Sequence, residues 1–199
     1  MADKKVITGC ENFTFRMQEG NGYEQGEVIK LPGLQEVGLE LEQDQEKVYA
    51  DNVSKLILNS GITGATVSGT FMDLTSEERS KLMGVEIRDG MEVYTKDLVP
   101  PYVSVSWKLK CNDGSYIHMG ATRGNFSIPS SSASTQEDSP EQQDAPELEG
   151  QFVSREDGVV FVRVHDKAKD FSEDKFMELI HGTGVTENTE NTEEEVPVG

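Results

Sequence analysis

Residues Leu34 to Val53, LQEVGLELEQDQEKVYADNV, open as an alternating strand. Val37, Leu39 and Leu41 fall on one side of a two-residue period, and Glu36, Glu40 and Glu42 fall on the other. A half-buried strand ordinarily mixes charge signs on its wet face. This one carries acid alone, and EQDQE follows before the chain turns into KVYADNV. The pattern predicts a strand over Leu34–Leu41, another near Lys47–Tyr49, and then a loop or hairpin.

Working outward, most of the chain carries the same two-residue period. ENFTFRMQEG gives a first strand with Phe13 and Phe15 on one face. In GITGATVSGTFMDL, Ala65, Val67, Gly69 and Phe71 share one face, and Thr66, Ser68, Thr70 and Met72 share the other. That segment lacks the Lys-Ser/Thr ending of a phosphate loop and the spacing of a dinucleotide fingerprint, so its small residues belong to a strand. YVSVSWKLK turns through NDG into SYIHMGATRGNF, a long antiparallel hairpin with Val103, Val105, Trp107 and Leu109 inward and Ser104, Ser106, Lys108 and Lys110 outward. VEIRDGMEVYT predicts a tight hairpin at Asp89-Gly90. A further hairpin is expected about REDG, with Val160, Val162 and Val164 on one side.

Two helices interrupt the strands. In LTSEERSKLMG, Thr75 caps, Glu78 completes a capping box three residues later and Gly84 ends the helix. In FSEDKFMELIHG, Ser172 caps a short helix with Phe176, Leu179 and Ile180 as its apolar stripe. The expected architecture is mainly β (α+β), a β-sandwich or barrel with a flanking α-helix. One domain spans residues 1–185, with a mobile acidic loop at about 129–146. An acidic C-terminal tail at 186–199 is disordered by composition.

The chain has 199 residues, 18 Lys plus Arg and 37 Asp plus Glu, for a net charge of −19. The tail after Val185 and the segment Ala133–Gly150 together hold 11 of the 37 acids and no base. The rest, with 26 acids against 18 bases, is itself acidic. Such a surface repels nucleic acid rather than gripping it. Cys10 and Cys111 form no framework and read as reduced thiols in a reducing compartment. No apolar h-region and no membrane-length apolar run occurs, so no membrane partner is expected and synthesis in a cytoplasm fits.

Chemistry-bearing patterns are sparse. His118, His165 and His181 have no metal-ligand spacing, and EQDQEK lacks the alternating oxygen ligands and glycine of a calcium loop. No GxSxG elbow occurs, and carboxylates are too widespread to single out an acid–base pair. The expectation is no catalytic residue, no cofactor and no metal. Lys108, Lys110 and Arg123 could form a basic patch on the long hairpin; pairing with acids of a neighbouring subunit is the stronger reading.

Taken in order, EKVYADN, LTSEERSKLMG, PPYVSVSWKLKCNDGSYIHMG and DSPEQQDAPELEGQFVSREDG give a composite pattern from about Glu46 to Asp166. It resembles the major tail proteins (tail tube proteins) of siphophages and prophages of Gram-positive bacteria. The first 45 residues are less diagnostic, and the tail after Val185 lies outside the pattern. The resemblance implies a structural virion protein, not an enzyme. It would self-assemble into stacked hexameric rings whose strands close an inner barrel, the tube through which DNA passes to the host. Implied partners are further copies of the chain, the tape measure, distal tail and terminator proteins, and passing DNA without specific binding. The implied location is the virion tail, after synthesis in the host bacterial cytoplasm.

On that resemblance, Glu36, Glu40, Glu42, Thr66, Ser68 and Thr70 are expected to line the lumen; the competing reading is a solvated outer face. A segment contacting the next ring is expected around Gln43, Lys47, Tyr49, Asp51, Asn52, Leu56, Ile57 and Leu58. It would be poorly ordered alone; the competing reading is that its aliphatic residues are core. An acidic β-sandwich binding module is the alternative, as is a tail terminator or decoration protein of similar fold. A small hydrolase is a weaker rival.

Overall fold

A computed structural model of the chain describes residues 5–19, 23–24, 26–50, 53–130 and 145–182. Eleven strands and two helices occur among them: β1 (Ile7–Glu19), β2 (Tyr23–Glu24), β3 (Ile29–Leu31), β4 (Leu34–Ala50), β5 (Val53–Phe71), α1 (Ser76–Met83), β6 (Glu86–Arg88), β7 (Met91–Val93), β8 (Tyr102–Cys111), β9 (Tyr116–Phe126), β10 (Glu147–Phe152), β11 (Phe161–His165) and α2 (Glu173–His181). The protein is mainly β, and every strand pairing is antiparallel. Nine strands form one sheet, ordered β2-β1-β8-β9-β10-β5-β4, with β3 on β1 and β11 on β9; β6 and β7 form a separate hairpin.

The large sheet folds back on itself. From β1 to β5 is four steps, roughly 19 Å in a flat sheet. Yet Phe13 of β1 and Phe71 of β5 meet edge to face at 5.3 Å between ring centroids. Trp107 stacks on Phe13, and Phe126 bridges toward Phe152, so one aromatic seam joins the two arms of the fold. β9 and β10 approach this seam closely. There Gly124 and Gly150 leave room for the Phe152 and Phe126 rings, which a Cβ at either glycine would strike. Ala65, Val67, Phe71, Leu148 and Phe152 face this core, as the two-residue period requires.

Local chemistry sets the short elements as expected. Thr75 and Glu78 form both halves of the capping box, and Gly84 closes α1 at φ 74°. Leu74, Leu82 and Met83 are buried against the sheet. Asp89 and Gly90 both take positive φ, 50° and 78°, as a two-residue hairpin turn demands.

Five expectations need correction. The acidic strand does not stop at Leu41. β4 runs unbroken to Ala50, and β5 begins at Val53, so the expected loop is one long hairpin. β10 and β11 do not pair with each other; both lie along the same edge of β9, with a tight turn at Arg155–Gly158 between them. Ser104 and Ser106 point away from the main core but are buried, because α2 covers that side of β8. On α2 the buried stripe is Phe176, Met177, Ile180 and His181, while Leu179 is exposed. Lys108 meets Glu173 of its own chain at 2.5 Å, and Arg123 lies over the Tyr102 ring at 4.5 Å.

Candidate functional site

The six residues expected on one wall share one face of the sheet. Register pairs Glu36 with Thr70, Gly38 with Ser68 and Glu40 with Thr66. Side chains directly opposite on an antiparallel pair emerge on the same face, so carboxylates of β4 stand beside hydroxyls of β5. Glu42 lies across from Gly64, whose missing side chain leaves room for its carboxylate. Thr66 Oγ1 donates to Glu42 Oε1 at 3.0 Å, fixing one carboxylate in the plane of the face. Glu36, Glu40 and Glu42 are exposed, and the three hydroxyl residues are half-buried between strands.

β10 extends this face by one strand. Glu147 pairs with Thr70, Glu149 with Ser68 and Gln151 with Thr66. Gln151 in turn pairs with Asn125 of β9. Five glutamates on β4 and β10 therefore flank the hydroxyl row of β5. No Lys or Arg occurs within 36–42, 64–70 or 147–151. Sequence reasoning missed Glu147 and Glu149. The alternation E-L-E-G-Q-F, with Leu148, Gly150 and Phe152 buried, carried the signal.

The second feature is the far half of the β4–β5 hairpin. β10 pairs with β5 only over Ala65–Thr70. From Glu42 and Gly64 outward, each strand has only the other as a ladder partner among the described residues. The eight residues from Gln43 to Ala50 extend roughly 26 Å at strand rise. Register shifts at Glu42/Gln43 and Gln43/Gln45, beside Gly61 at φ 83°, mark where the arm leaves the body. Bulges of this kind bend a strand and raise its twist.

On the arm, Gln43 and Lys47 are exposed, and Leu56, Ile57 and Leu58 are 55%, 52% and 49% exposed. They are not core. Lys47 pairs with Ile57, and Leu56 and Leu58 emerge on the opposite face, so both faces of the arm carry aliphatic surface. Tyr49 pairs with Ser54 in the ladder. Asp51 and Asn52 lie outside the described residues, as do most of the acidic loop and the C-terminal tail.

A hydrolase would need a nucleophile with a base at its hydroxyl. One grouping has the outline: Ser115 Oγ lies 3.2 Å from His165 Nε2, and His165 Nδ1 lies 2.9 Å from Asp166. Its wiring is that of a turn clamp. Ser115 donates its proton to Asp113 Oδ1, His165 Nδ1 accepts the Lys167 amide at 3.0 Å, and Nε2 faces Lys5 Nζ at 2.7 Å. Ser115 is itself buried. Asp113 also binds Lys5 and Lys167, and the Ser115 bond, then Lys167, hold its carboxyl well below the usual carboxylate range. Among the described residues, no His, Cys, Asp and Glu side chains gather into a candidate metal site. No described helix is long and apolar enough to cross a membrane.

A scan against protein-family models finds no family that matches the chain, and no curated protein matches its sequence.

Proposed function

We propose that this chain is a structural virion protein, a tail tube subunit of a long-tailed phage, whose copies form stacked hexameric rings around a channel for DNA. The observation that carries the reading is the joint register of β4, β5 and β10, which sets five glutamates and three hydroxyl residues on one base-free face. In a lone protein such a face gains nothing from its own charges. Around a channel it is useful, because a negative wall with neutral hydroxyls passes a polyanion without trapping it.

The rest of the fold supports the same reading. The sheet closes on its own core yet ends at β4, an edge strand of 17 residues. A long edge invites a strand from another copy. The arm offers half-exposed aliphatic residues on both faces, with none of the described residues packed over them as core. Six copies pairing edge to edge would make an inner barrel, and arms reaching neighbouring subunits would bury that surface. The tape measure, distal tail and terminator proteins would be its partners in the virion tail.

The test is electron microscopy of the concentrated protein at low and high salt. The net charge of −19 opposes association, and salt shortens its reach from about 10 Å at 0.1 M to about 3 Å at 1 M. Rings or tubes that multiply with salt are expected. Single particles at every salt concentration, sedimenting as monomers, would favour the acidic binding module. Isolated rings that never stack would favour a terminator or decoration protein.

A further inference from the structure

α2 lies over β1, β8 and β9 on the side away from the main core, and two histidines sit beneath or within its contact. His118 of β9 is 3% exposed, its ring 4.8 Å from Phe171 and 5.5 Å from Phe176. Its Nδ1 is buried with no hydrogen-bond partner among the described residues. His181, the last residue of α2, is 1% exposed. Its Nδ1 lies 2.8 Å from Ser104 Oγ and its Nε2 lies 3.0 Å from Ser106 Oγ, with Thr14 Oγ1 2.6 Å from Ser106 Oγ. Hydroxyls suit a neutral imidazole, donating to one ring nitrogen and accepting from the other.

Among the described residues, no carboxylate faces the His181 ring, whereas Glu173 and Asp166 lie near His118. Around His181 the charged neighbours are Arg16 of β1, whose Nη1 donates to the His181 carbonyl at 2.9 Å, and Arg155, which donates to the carbonyls of Leu179 and Ile180. The nearby acid, Asp157, is paired with Arg155 at 2.6 Å. Around His118 stand Lys108 of β8, Glu173 of α2 bonded to Lys108, and Asp166 and His165 at the end of β11. A proton on His181 would place a charge in a closed, cation-flanked site, and at His118 burial and Lys108 outweigh the two acids.

We infer that α2, with the 166–172 segment leading into it, is an acid-released strap: protonation of His118 and His181 undocks it from the sheet and uncovers the polar face of β1 and β8. The inference is separate from the tail-tube reading and stands or falls without it. Burial, then Arg16, holds the His181 imidazole down to about 3 from the ordinary 6.5. Burial, then Lys108, lowers His118 as well. The docked state therefore excludes protons that the undocked state accepts. Docking is at full strength above pH 6.5 and weakens as pH falls toward 3. At pH 4.5, His181 alone shifts the balance toward release by about 100-fold, and His118 adds to that. The strap rests on the small cluster of Val28, Phe176, Met177 and Ile180, so it can part while the aromatic core remains.

Hydrogen exchange of the full chain, corrected for intrinsic rates, tests this at pH 7.5 and 4.5. The expected result is opening of residues 173–181 that rises on the order of 100-fold or more at pH 4.5, while 102–111 stay protected. The pair H118F and H181N removes the two titrations and keeps a ring between Phe171 and Phe176 and an amide facing the two serines; in it α2 should stay protected at pH 4.5. An unchanged α2 in the parent protein would overturn the inference. So would loss of protection in α2 and β8 together, or acid opening that persists in the double variant. Should that variant not fold, the imidazole signals of the parent decide: both histidines must titrate with the opening of α2, and histidines that stay neutral through it refute the strap.

Discussion

Replacing Leu56, Ile57 and Leu58 together by serine separates the fold of the subunit from its assembly. Each side chain is about half exposed, and none belongs to either core cluster. Surface substitutions of this kind change stability by about 0.5 kcal/mol or less each, so urea unfolding of the monomer should shift by no more than about 1.5 kcal/mol. Assembly is different. Fully burying a large aliphatic side chain stabilises by about 1.5–3 kcal/mol, so covering the remaining half of each contributes about 1 kcal/mol, and the three about 3. At 1.4 kcal/mol per tenfold, the concentration needed for tubes should rise on the order of 100-fold. Light scattering against concentration at fixed salt measures it. A triple variant that unfolds more than 3 kcal/mol more easily would show these residues to be part of the monomer core. One that assembles at the parent concentration would show that the arm carries no contact.

Three further substitutions test the fold and the face. At Gly124 an added Cβ would stand 2.5 Å from the Phe152 ring and clash with the Gln151 carbonyl; G124A should cost about 3 kcal/mol in urea unfolding, because a buried ring and a backbone group must both shift. T75A removes the acceptor for the Glu78 amide and should cost about 1 kcal/mol, read the same way. E40Q with E149Q removes two of the five charges from the base-free face and should lower the salt concentration at which tubes form, without moving the midpoint of monomer unfolding by more than about 0.5 kcal/mol.

Much of the strand pattern was legible because each strand's inward residues were apolar and its turns carried their own chemistry. NDG, DG and the Thr75–Glu78 box specify local geometry with no tertiary help. What failed was everything that depends on an unseen neighbour. EQDQE has no apolar alternation to mark it as strand beyond Leu41; its ladder to Asn59–Ile62 continues it. Ser104 and Ser106 read as wet because they are polar, but α2 supplies hydrogen-bonding groups that let them be buried. Helical spacing sets Leu179 on a stripe with Phe176 and Ile180, whereas the helix is rolled so that Met177 and His181 face inward instead. Of the proposed wall, β4 and β5 were legible from alternation. The pairing that adds Glu147 and Glu149 was not, since twenty residues without a hydrophobic period separate β10 from β9 in the chain.

The most direct measurement is a three-dimensional reconstruction by cryo-electron microscopy of the assemblies formed at high salt, at a resolution that follows the strands. The expected result places Glu36, Glu40, Glu42, Glu147 and Glu149 toward a central channel and the Leu56–Leu58 arm against neighbouring subunits. An assembly that turns the glutamate face outward and leaves the arm uncovered would contradict the tail-tube account.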